Sequence, residues 1–293
     1  MNIKFYGVRG SIPAPGPATA KYGGNTSCVY VELENGQNIV FDAGTGLRLL
    51  GLDLIKRSNP INIVLSHGHW DHIQGYPFFS PIYQPGREIN VFTNIESGKK
   101  LLCSLFEQMD GSNFPVKADE LPSHSSCVFK GAESVLFEKG INLVKKPLNH
   151  PGGGYAYRIE EDGVTAAYIT DNELEPPGKI HTSYDEWVDF CHGVDVLIHD
   201  AQYTQDDMPH KHGWGHSLIS QVRQLAVDAE VGVLVMFHHD PDRTDSELDE
   251  IKRENEIFFS GKHAAIKNIS AYEGLEIKLR KSVSSGETLY EVV

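Results

Sequence analysis

Residues 66–75 read SHGHWDHIQG and follow the apolar run INIVL. Three imidazoles and a carboxylate within six positions are donor types that hold divalent cations without thiolate. Along an extended segment side chains alternate, so His67 and His69 face one way. Asp71 and His72 follow where the chain must turn, and approach from a second direction. Two such pairs suit two adjacent ions, zinc first by ligand type, with manganese or iron as alternatives. A solvated histidine loop is the bland reading of this tetrad taken alone. The rest of the chain weighs against it. His150 ends NLVKKPLNH, Asp171 ends TAAYITD, His238 ends VGVLVMFH, Asp42 ends NIVFD and Asp200 ends VLIHD. Each closes an apolar run, and in sheet folds the carboxyl ends of strands are where ligands gather.

A second constellation follows. VLIHDAQY at 196–203 precedes GHS at 215–217 and a helical pattern. A carboxylate at Asp200 would orient His216 and raise its pKa, giving an imidazolium that donates to a phosphate oxygen or protonates a leaving alkoxide. The competing reading is plain helix capping by Ser217. Near the N-terminus, GVRGSIPAPGPATAKYGGNTSC lacks the helix start of a nucleotide-binding glycine loop, so a structural loop over the site edge is expected, with Arg9 on the surface.

These groups must be placed by strands and turns. Apolar runs mark strands at IKFYGV, CVYVEL, NIVF, INIVL, INVF, NLVKKPL, YAYRI, TAAYI, VDVLI and VGVLVMF. Helical periodicity is clearest after 217, where Leu218, Ile219, Val222, Leu225, Ala226 and Ala229 share a face. Further helices are expected over about 244–259, near 95–109 and near 183–192. Strands lead and helices follow in both halves, which indicates one α/β domain with sheets inside and helices outside. Residues 110–133 read as an irregular excursion beside the site.

The chain has 293 residues, 26 Lys+Arg against 40 Asp+Glu, and a formal charge of −14. From that excess we expect no broad nucleic-acid binding; a small anionic substrate is still expected, because a buried metal ion would dominate the local field. No run approaches a membrane span, and MNIKFYGVRG holds no apolar stretch of the length a signal peptide needs, so none is expected. Four scattered cysteines without a CxxC pair point to a reducing, cytoplasmic setting. A homodimer is compatible with the sequence, which does not decide it.

HxHxDH, a distant His, a strand-terminal Asp and a final His resemble the metallo-β-lactamase superfamily, from FDAGTG through FHHDP. The resemblance implies a four-layer αββα sandwich over residues 1–280, with 281–293 as a polar C-terminal tail. It also implies a dinuclear centre: His67, His69 and His150 on one ion, Asp71, His72 and His238 on the other, Asp171 bridging, and Asp42 supporting. His239 adjoins His238 and competes with it; the position three residues before Pro241 favours His238. HDAQY with GHS looks like the phosphodiesterase branch, which includes tRNA-processing and phosphoribosyl cyclic phosphodiesterases, although that branch usually has Glu at position 200. The opening loop is similar to bacterial members of the cyclic phosphodiesterase group. By resemblance, a hydroxide bridging the ions would attack a small phosphodiester, a cyclic nucleotide or cyclic sugar phosphate, with Asp71, His216 and Asp200 as catalytic residues. The tRNA-processing members carry a long arm between the third His and the bridging Asp, and here only 21 positions separate His150 from Asp171. Thioester, lactone or other carboxylic ester hydrolysis on the same site is the alternative.

Overall fold

The computed structural model describes residues 1–93, 104–128, 131–262, 265–282 and 286–293. Fourteen described strands form two sheets. The first contains β1 (Asn2–Gly7), β2 (Cys28–Glu32), β3 (Asn38–Phe41), β4 (Ile61–Val64), β5 (Glu88–Phe92), β6 (His124–Val128), β13 (Glu276–Lys281) and β14 (Thr288–Val292). Its order is β14-β13-β1-β2-β3-β4-β5-β6. The second contains β7 (Asn142–Pro147), β8 (Tyr155–Glu161), β9 (Val164–Ile169), β10 (Val196–Asp200), β11 (Val233–Phe237) and β12 (Lys267–Ser270), in the order β12-β11-β10-β9-β8-β7. Around them lie helices α1 (Gly46–Leu54), α2 (Ala132–Glu138), α3 (Tyr184–Cys191), α4 (Ile219–Asp228) and α5 (Asp245–Gly261), along with several short 3-10 turns.

Alternation along the central strands explains the layering. In β3, Ile39 and Phe41 enter the core between the sheets, while Val40 turns outward to Leu47, Leu50 and Leu54 of α1. In β11, Val233, Val235 and Phe237 face the same inner core, while Leu234 and Met236 pack with Leu225 of α4 and Leu248 of α5. Strands apolar on both faces are what buried parallel strands require. The outcome is the four-layer αββα sandwich expected from the sequence.

The parallel pairs β3–β4, β9–β10 and β10–β11 direct several carboxyl ends to one edge. β7 runs antiparallel to β8, which is antiparallel to β9, so β7 ends there as well. Asp42, His67, His150, Asp171, Asp200 and His238 all leave strands at this edge. Asp42, Asp171 and His238 have left-handed backbones, φ 60°, 48° and 57°. Such conformations cost a non-glycine residue of order 1–3 kcal/mol each and cluster at functional sites.

Two expectations need correction. The excursion at 110–133 contains β6, whose HSSCV lacks apolar alternation because it is an edge strand with three exposed residues. Within the expected polar tail, Thr288–Val292 pairs with β13 as another edge strand. The helix expected near 95–109 lies largely outside the described residues. Among the described residues no helix is long and apolar enough to cross a membrane.

Candidate metal centre

Leaving β4, the chain runs through Ser66 and His67 to His69 and then tightens into a 3-10 turn at Trp70–His72. The extended stretch brings the His67 and His69 rings to 4.6 Å, and the turn swings His72 back to 4.2 Å from His67. Two groups of ligand atoms result, each mutually within 4.8 Å: His67, His69, His150 and Asp171, and Asp71, His72, Asp171 and His238. Asp171 belongs to both. Its Oδ2 lies 3.5 Å from His67 Nε2 and 3.8 Å from His150 Nε2. Its Oδ1 lies 3.1 Å from His72 Nε2 and 3.3 Å from His238 Nε2.

The donor set suits cations. Nε2 of His67 and His238 is buried without a hydrogen-bond partner, an unfavourable state unless something else meets these lone pairs. His150 Nε2 sits 2.9 Å from His69 Nδ1, so two imidazoles converge on one point. Burial holds the His67 imidazole well below its ordinary pKa and that of His150 at about 4, which keeps both neutral, the form that ligates metal. Burial works against the Asp71 carboxylate too, but His72 overrides it and holds the acid at about 2.

The outer nitrogens of these rings are tethered. Asp42 Oδ2 lies 2.9 Å from His72 Nδ1 and accepts from the Tyr168 hydroxyl at 2.8 Å. Ser27 Oγ is 3.0 Å from His238 Nδ1, Ser66 Oγ is 3.0 Å from His67 Nδ1, and the Gly215 carbonyl is 2.9 Å from His150 Nδ1. Such contacts set the tautomer and aim the inner nitrogen at the ion. The serines and Tyr168 escaped the sequence reading because nothing local distinguishes them from ordinary core hydroxyls.

His239 turns away from the centre. Its Nε2 lies 2.9 Å from the Ala271 carbonyl, and its ring meets Tyr22 at 6.0 Å, so His238 alone of the pair faces Asp171. Arg9 is buried rather than on the surface: Nε donates to the Gly23 carbonyl and Nη1 to those of Asp240 and Arg243. This clamp holds the opening loop against the site. Ser11 N donates to Asp71 Oδ2 at 2.8 Å. A Cβ on Gly10 would lie 2.5 Å from the His238 ring, so only glycine permits that approach.

His216 packs at the rim, its ring 5.2 Å from His238 and 5.5 Å from His150. Its Nδ1 is 2.9 Å from Asp200 Oδ2, so the shorter Asp still reaches the imidazole. Burial opposes the cation, yet Asp200 prevails and raises its pKa to about 9. Ser217 does not cap α4; its hydroxyl donates to the Asn172 carbonyl, and Leu218 is the N-cap. The carboxylate of Glu173, unnoticed in the sequence, accepts from Gly213 N and Gly215 N at 2.9 and 3.0 Å and so positions the loop carrying His216. Gly215 has φ +90°, and a Cβ there would meet His150 Nδ1 at 2.1 Å.

Residues 37–239 match the family described as Beta-lactamase superfamily domain. Ribonuclease Z of Thermoplasma acidophilum is 25% identical, with 97% of this chain and 98% of that protein covered. Ribonuclease Z of a Streptococcus pneumoniae strain is 26% identical over 93% and 100%. Among solved structures, the metallo-beta-lactamase fold protein YhfI from Bacillus subtilis superposes with TM-score 0.65 at 18% identity, covering 94% and 98%. The relatives fall in the branch that the motifs resemble. They also overturn one expectation, since full-length similarity to enzymes named as ribonucleases removes the ground for excluding nucleic acid. A net charge of −14 is a global sum, whereas a polyanion meets the local field, which bound cations dominate. The chain belongs to the beta-lactamase superfamily, and its two His/Asp clusters are the equipment of a metal-dependent hydrolase.

Proposed function

We propose that this hydrolase cleaves phosphodiesters, with two zinc ions held by His67, His69, His150, Asp71, His72 and His238 and shared through Asp171. The bound ions would supply Lewis acidity and an activated water. Nitrogen and oxygen donors without thiolate are the basis for zinc. Asp71 stays ionised in the neutral range and orients the attacking water. Its low proton affinity fits it for that task better than for storing a proton. His216, held by Asp200, presents Nε2–H toward the phosphoryl group and gives that proton to the leaving oxygen as the P–O bond breaks. The His216–Asp200 contact at 2.9 Å carries this reading: ester or lactone cleavage on the same centre has no need of a rim imidazolium at that position.

For the substrate we favour a small diester, a cyclic nucleotide or cyclic sugar phosphate. Between His150 and Asp171 the chain forms only the β8–β9 hairpin, paired within the second sheet from Tyr157↔Tyr168 to Glu161↔Val164. A second reading, cleavage at an RNA end, is favoured by the relatives named Ribonuclease Z. The deciding experiment is a hydrolysis panel on metal-quantified protein: bis(p-nitrophenyl) phosphate, cyclic nucleotides, a 3′-extended tRNA, a glutathione thioester and a lactone. Turnover of a phosphodiester is expected. Thioester or lactone cleavage with no phosphodiester turnover would overturn the proposal, and rapid cleavage of only the tRNA would select the second reading.

A further inference from the structure

Two of the chain's three tryptophans stand in solvent beside the metal centre. Trp70 is 71% exposed and Trp214 is 60% exposed, whereas Trp187 is fully buried beneath the second sheet. Each exposed indole is covalently next to the machinery. Trp70 lies between the candidate ligands His69 and Asp71 on the 3-10 turn. Trp214 precedes Gly215, whose carbonyl lies 2.9 Å from His150 Nδ1, and stands two residues before His216. Both therefore flank the half of the centre built from His67, His69 and His150. His69 is also the one exposed member of the two ligand clusters, so the site opens on this side. The rings of His69 and His150 are 4.7 Å apart, so the two segments that carry the indoles come together at this corner of the centre.

A large apolar group left in water forgoes burial, and aromatic groups gathered at a polar cleft mark a binding surface. Phosphate oxygens have no use for an indole face. A planar heteroaromatic ring does, because stacking on Trp is favourable and indifferent to which base is offered. Resting on the phosphodiesterase reading above, we infer that Trp70 and Trp214 form a stacking rim that selects diesters bearing a nucleobase. The phosphate enters between the rims toward Asp171 while the base lies against an indole. A cyclic sugar phosphate without a base lacks this contact, so the preferred substrates are nucleotide diesters.

The test compares two chromogenic diesters with one leaving group: the p-nitrophenyl ester of thymidine 5′-phosphate, and methyl p-nitrophenyl phosphate. In Trp70→Ala and Trp214→Ala, the preference for the thymidine ester over the methyl ester in 1/KM is expected to fall about 10-fold per residue. Trp70→Phe and Trp214→Phe should restore most of it. A preference that stays unchanged in both alanine variants would overturn the inference. A readout independent of turnover is indole emission: adenosine 5′-monophosphate should quench wild-type fluorescence, and the double alanine variant, which retains only Trp187, should not respond. Quenching without turnover of either ester would sink the phosphodiesterase reading and spare the stacking rim. Absence of quenching in the wild type would sink the rim itself.

Discussion

The two halves of the centre are built differently. The His67, His69 and His150 side offers three imidazoles and one shared carboxylate, with His69 open to solvent. The Asp71, His72 and His238 side is buried throughout and adds a second carboxylate. Its members are tied from outside by Asp42, Ser27 and the Ser11 amide. Buried carboxylates need a cation more than neutral imidazoles do. On the proposed reading the buried half would be the anchor and the open half the side at which substrate arrives, next to the exposed indoles, with His216 packed against both His238 and His150.

Asp171 is the point at which the two halves stop being separable, so Asp171→Asn should have the largest effect. Bound metal is expected to fall from about two ions to fewer than one per chain, and kcat/KM on a phosphodiester by on the order of 10³-fold or more. Elemental analysis alongside kinetics checks both. Retention of two ions in that variant would break the picture of a shared bridge.

Next in size is His216→Asn. Its kcat should drop about 10²–10⁴-fold, the range for a lost general acid, while metal content holds at about two. The pH profile separates a proton donor from a structural prop. Because Asp200 raises the His216 pKa to about 9, the imidazolium is present at neutral pH and is lost as pH rises through that value. Wild-type kcat should therefore decline on the alkaline side, and the variant should lack that limb.

Smaller again is Ser27→Ala, which removes the shorter contact of His238 Nδ1 and leaves it the Thr170 hydroxyl at 3.4 Å. Affinity for the more tightly held ion should weaken about 10-fold, with the other ion affected less. A competition titration with a chromophoric chelator reads the two dissociation constants. In the wild type the open side should give up its ion first, and loss in the opposite order would reverse the assignment of anchor and mouth.

Most of the framework was legible in the chain because both sheets need continuous apolar strands, and His67, His150, Asp171 and His238 each come shortly after one. β9 and β11 are visible as TAAYI and VLVMF, and Asp171 and His238 follow within two residues. Three of the four edges were not legible: β6, β12 and β14 have a strand partner on one side only among the described residues, whereas the fourth edge, β7, was visible as NLVKKPL and the inner strand β13 was missed. The contacts that aim the ligands were hidden for another reason. Ser27 and Glu173 act through distances across the fold, as when Glu173 grips Gly213 and Gly215 some forty residues later, and no local pattern records such a distance. Arg9 shows the reverse error, in that an arginine in a glycine-rich loop suggests a surface, yet three carbonyls bury it.

The central claim is a phosphodiesterase that needs both half-sites together. Chelator-stripped protein should be titrated with Zn2+ while turnover of bis(p-nitrophenyl) phosphate is followed. The account requires little activity at one equivalent, when the buried half fills, and a steep rise to a plateau at about two. Full activity at one equivalent, or no phosphodiester turnover at any loading, would contradict it.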